Sequence, residues 1–165
     1  MTPPPAPGSP PADPPGAAPR AKPQSILFAC SENAVRSVMA ETMAKRLVGR
    51  SVYIQSAGVR PGAHDPFVDA VMDELGLDSA RHRPRRFEDL EDDNFDLIVT
   101  LSPEAHHRAL EYTRAMAVDV SYWPTADPTV VEGSRDQRLG AYRATREGLQ
   151  RRLKDLLSWR PLGSV

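Results

Sequence analysis

Short unbroken apolar runs alternate along this chain with longer stretches in which apolar residues return every three or four positions. Ser25-Ile26-Leu27-Phe28-Ala29 and Phe95-Asp96-Leu97-Ile98-Val99-Thr100-Leu101 have the pattern of strands buried on both faces. Val52-Tyr53-Ile54-Gln55-Ser56, closed by Ala57-Gly58, and the segment Ala117 to Trp123 read as two more strands. Met39, Met43 and Leu47 recur at four-residue spacing and predict an amphipathic helix from Ser37 to Leu47. Asp65-Pro66 and Ser102-Pro103 each pair an N-cap with a proline at the first helical position. The helix after Asp65 places Ala70, Val71 and Leu75 on one side and stops at Gly76. Ser134-Arg135-Asp136-Gln137 has the capping-box spacing and opens a long helix carrying Leu139, Tyr142, Leu149, Leu153 and Leu156. Strands alternating with helices predict an α/β domain with a parallel sheet covered on both faces. Ligands of such sheets sit beyond the carboxyl ends of the strands, which directs attention to the turn after the first strand.

Composition divides the chain. Ten of its 17 prolines fall within the first 23 residues, where nothing can bury a core. Residues 1–23 are expected to be a disordered, partly polyproline II tail, and residues 24–165 a single domain of ordinary size. The formal net charge of -1 gives no whole-chain case for nucleic acid or an anionic membrane surface. No apolar stretch is long enough to span a bilayer, and no apolar signal segment follows Met1. The single cysteine excludes an internal disulfide, a zinc site built on two or four cysteines, and a redox cycle needing an internal resolving thiol. A lone free thiol fits a reducing cytoplasm.

That cysteine ends the first apolar run, in Cys30-Ser31-Glu32-Asn33-Ala34-Val35-Arg36-Ser37. A short loop entering a helix aims backbone N–H groups inward and makes an anion cradle. Arg36, five residues beyond the loop's start, can grip two oxygens of a phosphate-like anion. The same positive setting favours the thiolate, the nucleophilic form of cysteine. Ser37 can donate a hydrogen bond to that sulfur, and Asn33 can brace the loop through bonds to the backbone. The competing reading is a core cysteine that happens to end a strand.

The segment Ile26 to Leu47, ILFACSENAVRSVMAETMAKRL, resembles the phosphate loop of low-molecular-weight protein tyrosine phosphatases and of the arsenate reductases that share their fold. The resemblance continues in Ser56-Ala57-Gly58, in the helix from Asp65, in Phe95 to Val99 and in Trp123-Pro124-Thr125-Ala126-Asp127-Pro128. It implies a flavodoxin-like three-layer sandwich with a four-stranded parallel sheet. It also implies a reaction without metal or cofactor. Cys30 attacks phosphorus to give a phosphocysteine, while Arg36 and the loop residues Ser31, Glu32, Asn33, Ala34, Val35 and Ser37 hold the phosphate. Asp127, before Pro128, is the general acid and then the base for water. The implied substrate is a phosphorylated protein or small aryl phosphate. Of the two Asp-Pro pairs, Asp65 has a sufficient role as a helix cap.

The chain departs from the family at several places. Glu32 stands where the phosphatases usually have glycine, and leans toward the reductase branch. Val35 stands where many phosphatases have a protective second cysteine. Ser102 and Ala109 align with the redox cysteines of the thioredoxin-coupled reductases, which removes that three-thiol relay. An arsenate reductase drawing on an external thiol donor such as glutathione with glutaredoxin needs only one protein cysteine and stays as an alternative, as does a non-catalytic phosphate-binding module. Thr129, Val130 and Val131 replace the aromatic residues that often follow the Asp-Pro pair. Elsewhere, Arg81-His82-Arg83-Pro84-Arg85-Arg86 reads as a solvated loop balanced by the acids of Glu88 to Asp93, while His64, His106 and His107 read as surface residues and Trp123 as a packing residue.

Overall fold

The computed structural model describes residues 22–158, so the expected tail lies outside the described residues except for its last two positions. Four parallel strands, β1 (Ser25–Cys30), β2 (Tyr53–Gly58), β3 (Leu97–Thr100) and β4 (Asp119–Tyr122), form one sheet in the order β2-β1-β3-β4. Cys30 pairs with Gly58 at one end of β1, and Ala29 pairs with Thr100 on the other side. The helices are α1 (Arg36–Val48), α2 (Pro66–Asp73), α3 (Pro103–Tyr112) and α4 (Arg135–Leu157). The expected α/β architecture, a flavodoxin-like four-stranded parallel sheet with the candidate loop after the first strand, is the one observed.

Alternation along β1 divides the core. Ile26, Phe28 and Cys30 face α1, α2 and α4, and pack with Met39, Met43, Val71, Tyr142, Leu149 and Leu153. Leu27 and Ala29 face the other way, toward α3 and the 3₁₀ turn Phe87–Asp89, and pack with Phe87, Ile98, Ala105 and Ala109. Both sides of β1 are thus buried, as the unbroken apolar run requires.

The three predicted caps are present. The Asp65 carboxylate accepts the Phe67 N–H, the Ser102 hydroxyl accepts the Ala105 N–H, and Ser134 with Gln137 completes a capping box. The boundaries differ from the expected ones by a few residues. α2 ends at Asp73, and Gly76 takes the left-handed conformation (φ 71°) just beyond it. β3 and β4 are trimmed because Ser102 and Trp123 already lead into a cap and a loop.

Since β2 and β3 flank β1 on opposite sides, the chain reverses direction across the sheet between them. The loop after Cys30 and the turn at Leu101-Ser102 lie side by side at this switch point. The strand order itself therefore positions the candidate site.

Candidate active site

Cys30 is the last residue of β1, and only 3% of it is exposed. Its sulfur lies 2.9 Å from the Ser37 hydroxyl, which sits in the first turn of α1. Asn33, fully buried, donates through one amide nitrogen to both Ser37 and Ser56, at 2.9 Å each. Each serine accepts from Asn33 and so has its own hydrogen free to pass on. Ser37 directs it at the Cys30 sulfur, and Ser56 donates to Glu41 at 2.8 Å. The network's polarity therefore points a donated hydrogen at the thiol, the arrangement that suits an anionic sulfur.

Asn33 is the one described non-glycine residue with positive φ, at 53°. Asparagine tolerates this region better than most residues, and here its side chain is held from several directions. The Arg85 N–H donates to its carbonyl oxygen at 3.0 Å, and His82 Nε2 lies 3.0 Å from its backbone oxygen and 3.1 Å from its side-chain oxygen. A Cβ at Gly58 would come within 2.8 Å of the Asn33 backbone nitrogen, so glycine there lets β2 approach the loop. Asn33 thus braces the loop through the expected kind of side-chain to backbone bond, with Arg85, and also through side-chain bonds to Ser37 and Ser56.

The loop leaves a run of backbone amides without partners. The backbone N–H groups of residues 31–35 find no acceptor among the described residues. They lie at the start of α1, whose dipole adds positive potential. Arg36 opens α1, half-buried, and its Nη1 donates to the Thr125 carbonyl at 2.9 Å. That bond ties the loop to the segment after β4. Thr125 in turn donates its N–H to the Leu101 carbonyl, so residues 123–127 continue alongside the switch point.

Asp127 follows two residues later, half-buried, and caps the 3₁₀ turn Pro128–Val130. One carboxylate oxygen accepts from both the N–H and the hydroxyl of Thr129, at 2.9 and 2.7 Å. The other has no partner among the described residues. Asp65 contrasts with it. One oxygen caps α2, and the other accepts the Tyr142 hydroxyl at 2.6 Å. Burial and this carboxylate together push the Tyr142 phenol well up. Both Asp65 oxygens are therefore committed to structure, whereas Asp127 has one oxygen without a partner among the described residues.

Glu32 turns outward, with its carboxylate 3.7 Å from Arg60, which itself forms a two-pronged bridge to Glu104. The acid beside the anion loop is thus matched by a cation. Ser31 donates to Ser102 at 3.0 Å, so the position aligned with a redox cysteine instead anchors the loop. Ala34 and Val35 are buried beneath it, and Ala109 is buried within α3.

Four supporting residues escape the sequence reading: Glu41, Ser56, His82 and Arg85. Glu41 is buried and lies one turn after Ser37 on the same face of α1, a spacing that offers a signal. Burial alone would raise its carboxyl, but the bond with His82, the charge of Lys45 and the Ser56 hydroxyl outweigh it and hold Glu41 below its ordinary value. His82 belongs to this cluster, not to a solvated loop, and nothing local in Arg81 to Arg86 distinguishes it. His106 is also more than a surface residue. It stacks on Tyr122 with ring centroids 4.7 Å apart and shares a hydrogen bond with Thr100. His64 pairs with Asp69, and His107 is exposed as expected.

A buried thiol at the end of β1, a following run of amides without acceptors among the described residues, and an arginine in the first turn of α1 make an arrangement suited to binding an oxyanion. Residues 25–161 match the family described as low molecular weight phosphotyrosine protein phosphatase, and the chain belongs to it. The arsenate reductase of Bacillus subtilis (strain 168) is 28% identical over 130 residues, covering 79% of this chain and 92% of that protein. The glutaredoxin arsenate reductase of Synechocystis sp. is 26% identical over 136 residues, covering 82% and 97%. Among solved structures, the tyrosine phosphatase Wzb from Escherichia coli K30, in complex with sulphate, superposes with a TM-score of 0.69 at 21% identity. It covers 82% of this chain and 96% of its own, a likeness of fold. Phosphatases and arsenate reductases thus both stand among the relatives. No helix among the described residues is long and apolar enough to cross a membrane.

Proposed function

We propose that the protein is a phosphomonoesterase of the low-molecular-weight protein tyrosine phosphatase type, acting on a phosphorylated protein or small aryl phosphate. The observation that carries this reading is the carboxylate of Asp127, with one oxygen fixed by Thr129 and the other unengaged, on a segment bonded directly to Arg36. A hydrolase needs a proton donor for its leaving group, and the unengaged oxygen supports Asp127 in that role.

In the proposed reaction the Cys30 sulfur attacks phosphorus and the P–O ester bond breaks. The leaving oxygen takes its proton from Asp127, and a phosphocysteine remains. Water then attacks this phosphorus and gives its proton to Asp127, and the S–P bond breaks to release inorganic phosphate. Arg36 and the N–H groups of Ser31, Glu32, Asn33, Ala34 and Val35 bind the phosphoryl oxygens as charge shifts among them. Ser37 supports the sulfur both as attacking and as departing group. A reducing cytoplasm suits a nucleophile that has no neighbouring thiol to protect it.

A second reading is an arsenate reductase that draws on an external thiol. The names of the curated relatives and the outward, paired Glu32 favour it. One pair of assays separates the two. The protein is given an aryl phosphate without thiol, then arsenate with glutathione and glutaredoxin. Aryl phosphate turnover that falls by at least about 10⁴-fold in Cys30→Ser supports the phosphatase. Arsenite formation without aryl phosphate turnover would sink it in favour of the reductase. Phosphate binding with neither activity would leave a binding module.

A further inference from the structure

A second concentration of positive charge lies outside the thiol loop. α1 contributes Lys45 and Arg46 to the lining of an open groove of about 660 Å³, and the segment 81–85 contributes Arg81, Arg83 and Arg85. None of residues 30–37 lines it. Two acids do, and between them they pair with one of the cations, Lys45. Glu41 is buried and already engaged by His82, Ser56 and Lys45, and Asp78 caps the turn at Ala80. In a chain of net charge -1 this is a marked local asymmetry.

The acidic run after the arginines was expected to balance them, and among the described residues it forms an ion pair with one of them, Arg86. Asp89 pairs with Arg86, Glu88 with Arg108, and Asp92 accepts the Tyr53 hydroxyl. Arg85 is held by the Ser56 carbonyl and Gln55. Arg46, Arg81 and Arg83 have no acidic partner among the described residues. Three groove-lining arginines are therefore left un-neutralised by an acid, and guanidinium groups are suited to bidentate contacts with phosphate.

We infer that this groove binds a ligand carrying a chain of two or more phosphates. Guanidinium groups match phosphate oxygens in geometry as well as charge. Cations reach the groove from two separate segments, 45–46 and 81–85, and phosphates joined in a chain offer negative charge to both. The volume falls within the range of small-molecule sites. His82 and Arg85, which hold Asn33 from behind, belong to the segment that carries Arg81 and Arg83. A ligand there touches the element that braces the thiol loop. The site stands whether or not Cys30 is a nucleophile.

Titration calorimetry on the full chain at low salt tests it, with inorganic tripolyphosphate and magnesium-free ATP as probes. Arg36→Ala removes the thiol loop as a competing anion site, and Arg81→Gln/Arg83→Gln removes two groove cations exposed enough to leave the fold intact. An unchanged melting temperature checks that. Both probes are expected to bind Arg36→Ala as they bind wild type. Affinity should fall by about tenfold for each groove arginine removed, and should weaken with added salt. Equal affinity for both probes assigns the site to the phosphate chain alone, and tighter binding of ATP assigns it to a nucleotide. Absence of binding, loss of binding in Arg36→Ala, or full binding in the double glutamine variant would each overturn the inference.

Discussion

The two flanks of the thiol loop are built on opposite plans. On the β2 side, Asn33, Ser37, Ser56, Glu41 and His82 form a buried network in which each member has a partner. On the β4 side, Asp127 sits in an open turn whose next residues include Val130, 72% exposed, and one of its carboxylate oxygens is unengaged. The first plan fixes geometry, because an oxyanion cradle works only if its donors already point at the place where charge develops. The second leaves the carboxylate that we propose as proton donor accessible to leaving groups of varied shape. Substitutions on the β2 side should therefore cost stability and rate together, and those on the β4 side should cost rate alone.

Asp127→Ala should give the largest effect on rate. Turnover of substrates with poor leaving groups is expected to drop about 10²- to 10⁴-fold, and that of good leaving groups far less, because only the former need the proton. The melting temperature should barely move, since Asp127 caps only a single 3₁₀ turn at the surface. Equal slowing for both leaving groups would remove Asp127 from the acid role. A large loss of stability would break the contrast between the flanks.

Asn33→Ala should give the largest effect on stability, about 3 kcal/mol. Alanine suffers the left-handed backbone more than asparagine, by about 1 kcal/mol, and the Arg85 N–H loses its acceptor at a cost of about 1–3 kcal/mol. Asn33→Gly relieves the backbone cost but not the lost partners. A glycine variant as stable as wild type would show that φ alone matters and that the network is incidental. Both variants should also lose activity, since Ser37 would no longer be oriented toward the sulfur.

This contrast was only half legible in the sequence. Cys30, Arg36 and the caps at Asp65, Ser102 and Ser134 announce themselves through local spacing, because each acts within a few residues of itself. The fold followed for the same reason, since an apolar run or an N-cap is a local event. The partners of Asn33 come from β2, from the middle of α1 and from the segment 81–85, and only the folded sheet gathers them. His82 shows the limit best. Its neighbours Arg81 and Arg83 are exposed, and only the tertiary path turns the imidazole inward between Glu41 and Asn33. Asp127 against Asp65 lay between these extremes. The capping role of Asp65 could be read locally, but its bond to Tyr142, 77 residues away, could not.

Glu41→Gln probes the far end of the network, with an expected cost of about 1–3 kcal/mol from the weakened bonds to Ser56 and His82. It also predicts a pH signature. Folding holds the Glu41 carboxyl below its ordinary value of 4.5. The unfolded chain therefore binds more protons there, and the stabilisation is present above that value and fades as pH falls through the lower folded one. Wild type should lose stability more steeply than Glu41→Gln on the acid side, so the two unfolding free energies should converge as pH drops below about 4.5. Parallel acid limbs would mean that Glu41 is not held as a charged partner in the network.

Thr129→Ala is the finest test, because it alters how Asp127 is held without removing it. The Thr129 hydroxyl and N–H share one Asp127 oxygen, which leaves the other to carry a proton toward substrate. Alanine keeps the N–H and deletes the hydroxyl, a loss of about 0.5–1.5 kcal/mol of orientation if the bond is maintained in the reaction. The expected outcome is a slowing of about two- to tenfold that is confined to poor leaving groups, with stability within about 0.5 kcal/mol of wild type. Serine at the same position restores the hydroxyl and should restore the rate. An effect that serine fails to rescue, or that extends to good leaving groups, would mean that Thr129 shapes the entrance to the site and does not orient the acid. The open flank would then owe its function to the shape of its surface, and the contrast with the buried network would be one of packing more than of proton delivery.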